Sequence, residues 1–325
     1  MRKARLVVGV LISLLLLFWV LRSVDLGKVA EAFRSATYVF LLPAALVLFG
    51  SFWLKAWRWR YLFQERGLGF WPLFSGVMIG YFGNFVLPAN AGELVRTYVF
   101  GERVDMRKSA ILATIVVEKV LDFLTLTLFM LPVILAHPSP GWMGRLGAII
   151  GLSVGALWVF ILVLPYQHRR VIGITATLLG RISVPMSQKV VHRLGIFLEG
   201  LEVLRHPSQM VKAFLLSIAV WGVVVVAWYL TGRSLGLALP LYAYALPMAL
   251  TFMSMSIPAL PGNLGAFEFL VVACLGFFKV DSSNALALAV LVRGIRLLPL
   301  AVGYIFLTRE GLRLTELPLE RGPLS

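Results

Sequence analysis

Two short stretches interrupt apolar sequence with residue types suited to holding an anion. LPANAGELVR, Leu87 to Arg96, sets a proline, an asparagine and small residues ahead of Glu93 and Arg96. LPGNLGAFE, Leu260 to Glu268, nearly repeats that pattern far along the chain. Pro88 and Gly92 in the first stretch, and Pro261, Gly262 and Gly265 in the second, are residues that end one helix and open another. A helix start presents free N–H groups to an anion, and a nearby arginine adds a planar donor fork that matches phosphate. Glu93 and Glu268 then fall in the first turn of the outgoing helix, where an acid complements the helix dipole.

Other charges also fall inside apolar runs. Glu118 and Asp122 are four residues apart and share a helical face, with Lys119 a step around. Arg293 and Arg296, three apart, can face one cavity from the last apolar run. Glu93, Glu118, Asp122 and Glu268 thus face Arg96, Lys119, Arg293 and Arg296, as many acids as bases. A charge at the centre of a membrane span costs ~2.5–3.5 kcal/mol on insertion scales, so each needs a partner or water. Static pairing and a substrate site both meet that need. Paired acids also suit general acid and base work, which keeps an intramembrane lipid transferase in view as an alternative. His137, His168, His192 and His206 fall in loops or a connector without metal-ligand spacing, and no G-x-x-x-x-G-K-[ST] loop is present. Neither a metal nor a cofactor is expected.

The elements that must position these residues are membrane helices. The 325 residues are 60% hydrophobic and only 14% charged, with a mean hydropathy of +0.90. Soluble domains sit near half apolar and a quarter charged, and the long apolar runs suit helices rather than alternating barrel strands. The single cysteine, Cys274, excludes an intrachain disulfide. A net charge of +15 reads as lysine and arginine gathered on the cytoplasmic side, not as nucleic-acid binding. The basic, then apolar, N-terminus lacks a good cleavage site and reads as a retained signal anchor.

Six full spans are expected, at Leu6–Leu21, Tyr38–Leu54, Ser109–Ala136, Leu146–Tyr166, Lys212–Thr231 and Asn284–Leu307. Basic residues favour a cytoplasmic N-terminus and C-terminus. Trp71–Phe100 then lies between Lys55, Arg58 and Arg60 on one side and Arg103, Arg107 and Lys108 on the other, all assigned to the cytoplasm. Its roughly 30 residues reach only ~45 Å as helix, too short for two ~30 Å crossings. A re-entrant helical hairpin with LPANAG at its tip is expected. Leu241–Lys279 starts and ends outside and admits either two thin spans or a second hairpin; the echoed motif favours the hairpin.

The whole chain, 1–325, is expected to be one all-α transmembrane domain. Each half reads span, span, hairpin, span, at about 6–136 and 146–307, with every direction reversed in the second. Inverted repeats with broken helices are a transporter architecture. Residues 167–211 read as a cytoplasmic amphipathic connector.

The same residues carry a family resemblance. Asn84, Leu87, Pro88, Gly92, Glu93 and Arg96, then Glu118, Lys119 and Asp122, then Pro261, Gly262, Gly265 and Glu268 follow in order across nearly the whole chain. In this the chain resembles the transmembrane region of the lysylphosphatidylglycerol synthases, a flippase-like membrane family. It departs from the pattern at Asn90, where many relatives carry an arginine, and at Asn263, where a second glycine is usual. The resemblance implies an inner-membrane protein, not an enzyme, that moves a phospholipid or isoprenoid-linked lipid between leaflets. Aminoacylation belongs to a separate soluble domain, and no stretch of this chain reads as one. Membrane lipids are the expected partners. A non-catalytic partner that seats a lipid-modifying enzyme is the further alternative.

Overall fold

A computed structural model describes residues 13, 15–63, 67–87, 91–136, 204–255 and 263–310, together with scattered positions between 151 and 203. Half of the expected span Leu6–Leu21 and most of Leu146–Tyr166 lie outside the described residues, as do Pro88, Pro261, Gly262 and most of the 167–211 connector.

Every described element is helical. In chain order these are α1 (Leu26–Arg34), α2 (Leu41–Tyr61), α3 (Phe70–Val86), α4 (Gly92–Val104) and α5 (Lys108–Ala136). They are followed by α6 (Pro207–Ser234), α7 (Ala245–Ser254), α8 (Ala266–Gly276), α9 (Ser282–Ile295) and α10 (Leu297–Arg309). Among the described residues, three stretches are long and apolar enough to cross a membrane: Tyr38–Tyr61, Pro207–Ser234 and Ser282–Arg309. Helix α5 has 29 residues and carries Glu118, Lys119 and Asp122 along its length. The protein is a multi-pass helical membrane protein.

Caps fix several helix starts. Asp25 accepts hydrogen bonds from the Gly27 and Lys28 N–H groups ahead of α1. Asp281 does the same for Ser283 ahead of α9, and those hydrogen bonds hold its carboxyl below the usual carboxylate range. The last apolar run is not one helix, as expected from sequence, but two. Pro299 lacks an N–H and its ring would meet the carbonyl four residues back, so the helix breaks at Arg296.

The helices around the two motifs are short. α3 and α4 have 17 and 13 residues, about 26 and 20 Å of helix, and they pack on each other as a hairpin. α7 and α8 have 10 and 11 residues, about 15 and 17 Å, and also pack together. None matches the ~30 Å hydrocarbon thickness alone. Glycine makes the first hairpin tight: a Cβ on Gly92 would lie 2.1 Å from the Gly80 carbonyl oxygen and 2.2 Å from the Asn84 nitrogen. At the second, Gly265 has φ +84° and its missing Cβ leaves room for the Ser13 carbonyl.

α2 ties two cores together. Ala44 and Leu48 in its first half join α6, α7, α8 and α9, with Trp221, Trp228, Tyr244 and Phe267 among the buried side chains. Phe52, Ala56 and Trp59 in its second half join α3, α4 and α5. From the connector, Leu198 and Leu204 are buried against this second core. α2 and α6 share the most extensive interface, and the charged residues collect where the two cores meet.

Candidate functional site

Arg58 is the centre of the charged cluster. Helix α2 runs on to Tyr61, so its buried stripe of Ala44, Leu48 and Ser51 continues at helical spacing into Arg58. The guanidinium is fully buried. Its Nη1 donates to Asp122 Oδ1 at 2.5 Å and to Ser217 Oγ at 2.9 Å, and its Nη2 donates to Glu118 Oε1 at 2.9 Å. Trp221 Nε1 adds a second donor to Asp122 Oδ1 at 2.8 Å. One arginine from α2 thus holds two carboxylates a helical turn apart on α5, and α6 closes the group.

Arg96 brings in the first hairpin. Its Nη1 lies 2.9 Å from Glu118 Oε2 and 3.9 Å from Glu93 Oε2. These are ion pairs rather than aligned hydrogen bonds: Glu118 Oε2 and the Nε and Nη2 of Arg96 have no hydrogen-bond partner. The Arg96 guanidinium instead lies 3.6 Å over the Trp59 ring, and the indole N–H donates to Thr114 at 2.9 Å. Glu93 accepts from Lys119 Nζ at 2.6 Å and from Asn84 Nδ2 at 3.0 Å. Asn84 therefore locks the end of α3 to the first turn of α4.

The second hairpin has its own pair. Glu268 Oε2 accepts the Gly265 N–H at 2.8 Å and its Oε1 accepts Arg293 Nε at 2.5 Å. Arg293 Nη2 reaches the Asn263 carbonyl at 3.2 Å. Together they brace the tip that Asn263, with φ +54°, turns through. Asn263 also donates to Ser254 at the end of α7, at 2.8 Å.

A cavity of about 400 Å³ opens between these groups. Asn84, Glu93, Arg96, Glu118, Lys119, Asp122 and Arg296 line it, alongside Lys55, Trp221 and Phe252. Arg293 and Glu268 do not line it. Gly92 and Gly265 are placed at the helix starts rather than at the cavity wall.

Two placements were not evident from sequence neighbours. Lys55 and Arg58, read from sequence as part of a cytoplasmic basic flank, stand within α2, one at the cavity wall and the other beneath it. Lys119 pairs with Glu93 on the preceding helix, α4, whereas Glu118 is held by Arg58 and Arg96. At the wall itself the cations Lys55, Arg96, Lys119 and Arg296 outnumber Glu93, Glu118 and Asp122, and the buried Arg58 lies behind them. The cavity wall carries an excess of positive charge. Among the described residues no three His, Cys, Asp or Glu side chains are grouped to hold a metal ion.

Residues 6–303 match the family model described as lysylphosphatidylglycerol synthase TM region. A UPF0104 membrane protein of Methanothermobacter thermautotrophicus is 25% identical over 285 residues, covering 82% of this chain and 84% of that one. Glycosyltransferase AglD of Haloferax volcanii is 27% identical over 157 residues, which are 47% of this chain but only 25% of that relative's length. No solved structure matches.

Proposed function

The chain belongs to the lysylphosphatidylglycerol synthase TM region family, and on that premise we propose that it moves a lipid with an anionic headgroup between membrane leaflets. The observation that carries this reading is the positively biased cavity set among apolar helices, where α3 and α4 meet α5, α6 and α7. Charges at this depth are costly unless they are paired or lie beside a polar cavity, and this cluster does both. A phospholipid or an isoprenoid-linked lipid fits, with its phosphate in the cavity and its chains along the apolar helices.

In this reading the α3–α4 and α7–α8 hairpins are re-entrant from opposite sides. The halves at about 6–136 and 146–307 form inverted repeats within one transmembrane domain, and broken helices meet near the midplane. Both termini face the cytoplasm and the protein resides in the inner membrane. Asn84, Glu93, Arg96, Glu118, Lys119 and Asp122 shape the passage from the first hairpin and α5. Pro88 and Gly92, and Pro261, Gly262 and Gly265, provide the breaks. Glu268 and Arg293 fix the second tip, and Arg296 meets the headgroup.

A second reading draws on the Haloferax relative, in which a match to half of this chain occupies a quarter of a protein named as a glycosyltransferase. In that reading this chain is a membrane module that seats a lipid-modifying enzyme. Proteoliposomes with fluorescent phospholipids and an isoprenoid phosphate separate the two. Transport exposes inner-leaflet label to an impermeant quencher faster than in empty vesicles. If no lipid in the panel moves, with or without a proton gradient, the module reading replaces transport.

A further inference from the structure

Two cations at the cavity wall, Lys55 and Arg296, form no direct ion pair with a carboxylate among the described residues, although Asp122 lies in the neighbourhood of the first and Glu268 of the second. Arg296 is only 5% exposed, sits at the break between α9 and α10, and leaves its Nη2 without a hydrogen-bond partner. Its guanidinium rests on the rings of Phe252 and Phe267, 4.9 and 4.7 Å from their centroids. Lys55 Nζ lies 5.2 Å from the centroid of Trp221 and 5.1 Å from that of Phe52. Trp221 and Phe252 pack edge to face at 4.7 Å, so the two cations are carried by one aromatic pair. Both line the same cavity.

An unneutralised guanidinium in a buried wall is strongly unfavourable, and ring faces offset only part of that cost. The other cations of the cluster differ. Arg58 and Arg96 are engaged by Asp122 and Glu118, and Lys119 by Glu93. Arg96 keeps unpartnered Nε and Nη2 donors, but its charge is already met by Glu118, so the cations without a direct ion pair lie across the cavity from the first hairpin.

We infer that Lys55 and Arg296, mounted on Trp221 and Phe252, form a binding site for a phosphoryl group. The inference deepens the lipid-transport reading and rests on it for the claim that the phosphoryl group belongs to a lipid. Arg296 supplies a planar donor fork and Lys55 a mobile point charge, a pairing suited to the tetrahedral oxygens of a phosphate ester. The break at Arg296 positions the fork, three residues before Pro299, whose ring disfavours the carbonyl geometry of a regular helix there. A free phosphate presents the same oxygens as a lipid headgroup, so the two sources are distinguished by experiment.

The test uses the full chain purified in detergent and titrated calorimetrically with four probes. These are short-chain phosphatidic acid, the diacylglycerol of the same chains, short-chain phosphatidylglycerol and inorganic phosphate. The two phospholipids should bind and the diacylglycerol should bind at least about tenfold more weakly, the loss expected for one charge-assisted hydrogen bond. Inorganic phosphate binding as tightly as the lipids would assign the site to a free anion; weak phosphate binding would assign it to a headgroup. Lys55→Gln and Arg296→Gln should each weaken phospholipid binding about tenfold, and Arg296→Lys less than Arg296→Gln. If Arg296→Gln does not fold, Lys55→Gln decides, since that side chain is only partly buried. Wild-type affinity in the folded glutamine variants, or equal binding of diacylglycerol, overturns the inference. Leaflet exchange unchanged in both variants would also overturn it while leaving transport standing. Intact binding without leaflet exchange would instead remove the transport reading and leave the phosphoryl site.

Discussion

Arg58 Nη2 and Glu118 Oε1 lie 2.9 Å apart although 60 residues of chain separate them. This contact fastens α2 to α5 at the junction of the two cores, and through the other oxygen of Glu118 it reaches Arg96 on the first hairpin. The charged cluster is thus one connected body, not a set of separate pairs. Its disruption should be felt at several helices together.

Removing the charge of Arg58 leaves Glu118 and Asp122 facing each other without their shared partner. A broken buried pair costs about 3–5 kcal/mol. Arg58→Met should therefore lower yield and thermal stability sharply. Arg58→Lys should recover part of the loss, because one ammonium cannot span both carboxylates with the same fork. Melting curves in detergent, followed by size-exclusion fluorescence, read the order wild type, Arg58→Lys, Arg58→Met.

Rescue of Glu118→Gln identifies its true partner. Neighbouring sequence position suggests Lys119, but Lys119 Nζ bonds Glu93 at 2.6 Å. Neutralising Lys119 should add damage by freeing Glu93. Arg96→Gln should instead restore part of the stability lost in Glu118→Gln, with a coupling energy on the order of 1–3 kcal/mol in the double-mutant cycle. A rescue by Lys119→Gln and none by Arg96→Gln would contradict the observed pairing.

Close packing of the first hairpin makes Gly92 intolerant of any side chain. Gly92→Ala would drive a methyl into the Gly80 carbonyl, and overpacking of this kind costs about 1–3 kcal/mol or more. Gly50→Ala is the control, since nothing lies within 4 Å of a Cβ there and Gly50 is inside α2. It should be neutral or gain about 0.5–1 kcal/mol. Gly92→Ala should lower the melting temperature, while Gly50→Ala should leave it unchanged or raise it.

Opposed hairpins make a labelling prediction. On a Cys274→Ala background, cysteines at Ala89 and Asn263 should react slowly with impermeant thiol reagents and from opposite faces of the membrane. Asn263 is only 5% exposed, which fits slow reaction there. Labelling of both from one face would remove the inverted repeat. Ready labelling at Asn263 from the cytoplasm would indicate two full spans across 241–279.

The broken-helix motifs were legible in sequence because proline and glycine act locally. Short helices do flank both, and Glu93 and Glu268 do sit in first turns. The placement of Arg58 was not legible from charge clustering, since LKAWRWRY looks like a cytoplasmic flank when residues are only counted. Helical spacing from Ala44 through Leu48 and Ser51 to Arg58 was the available signal, as was the need of Glu118 and Asp122 for a shared cation. The break at Arg296 had a signal in Pro299. That Arg293 would turn to Glu268 while Arg296 faced the cavity depends on packing against Phe267 and Phe252, which spacing alone does not encode.

The central claim is that a lipid headgroup crosses through the cavity between the two cores. Phe85 lines that cavity, and the native Cys274 is buried elsewhere in the first core. The most direct measurement is the rate of leaflet exchange in proteoliposomes carrying Phe85→Cys on Cys274→Ala, before and after modification with a bulky maleimide. The account predicts that modification lowers exchange of the anionic phospholipid to the rate of empty vesicles, while the same treatment leaves the Cys274→Ala parent unchanged. Exchange that continues at its original rate with Phe85→Cys fully modified would contradict it.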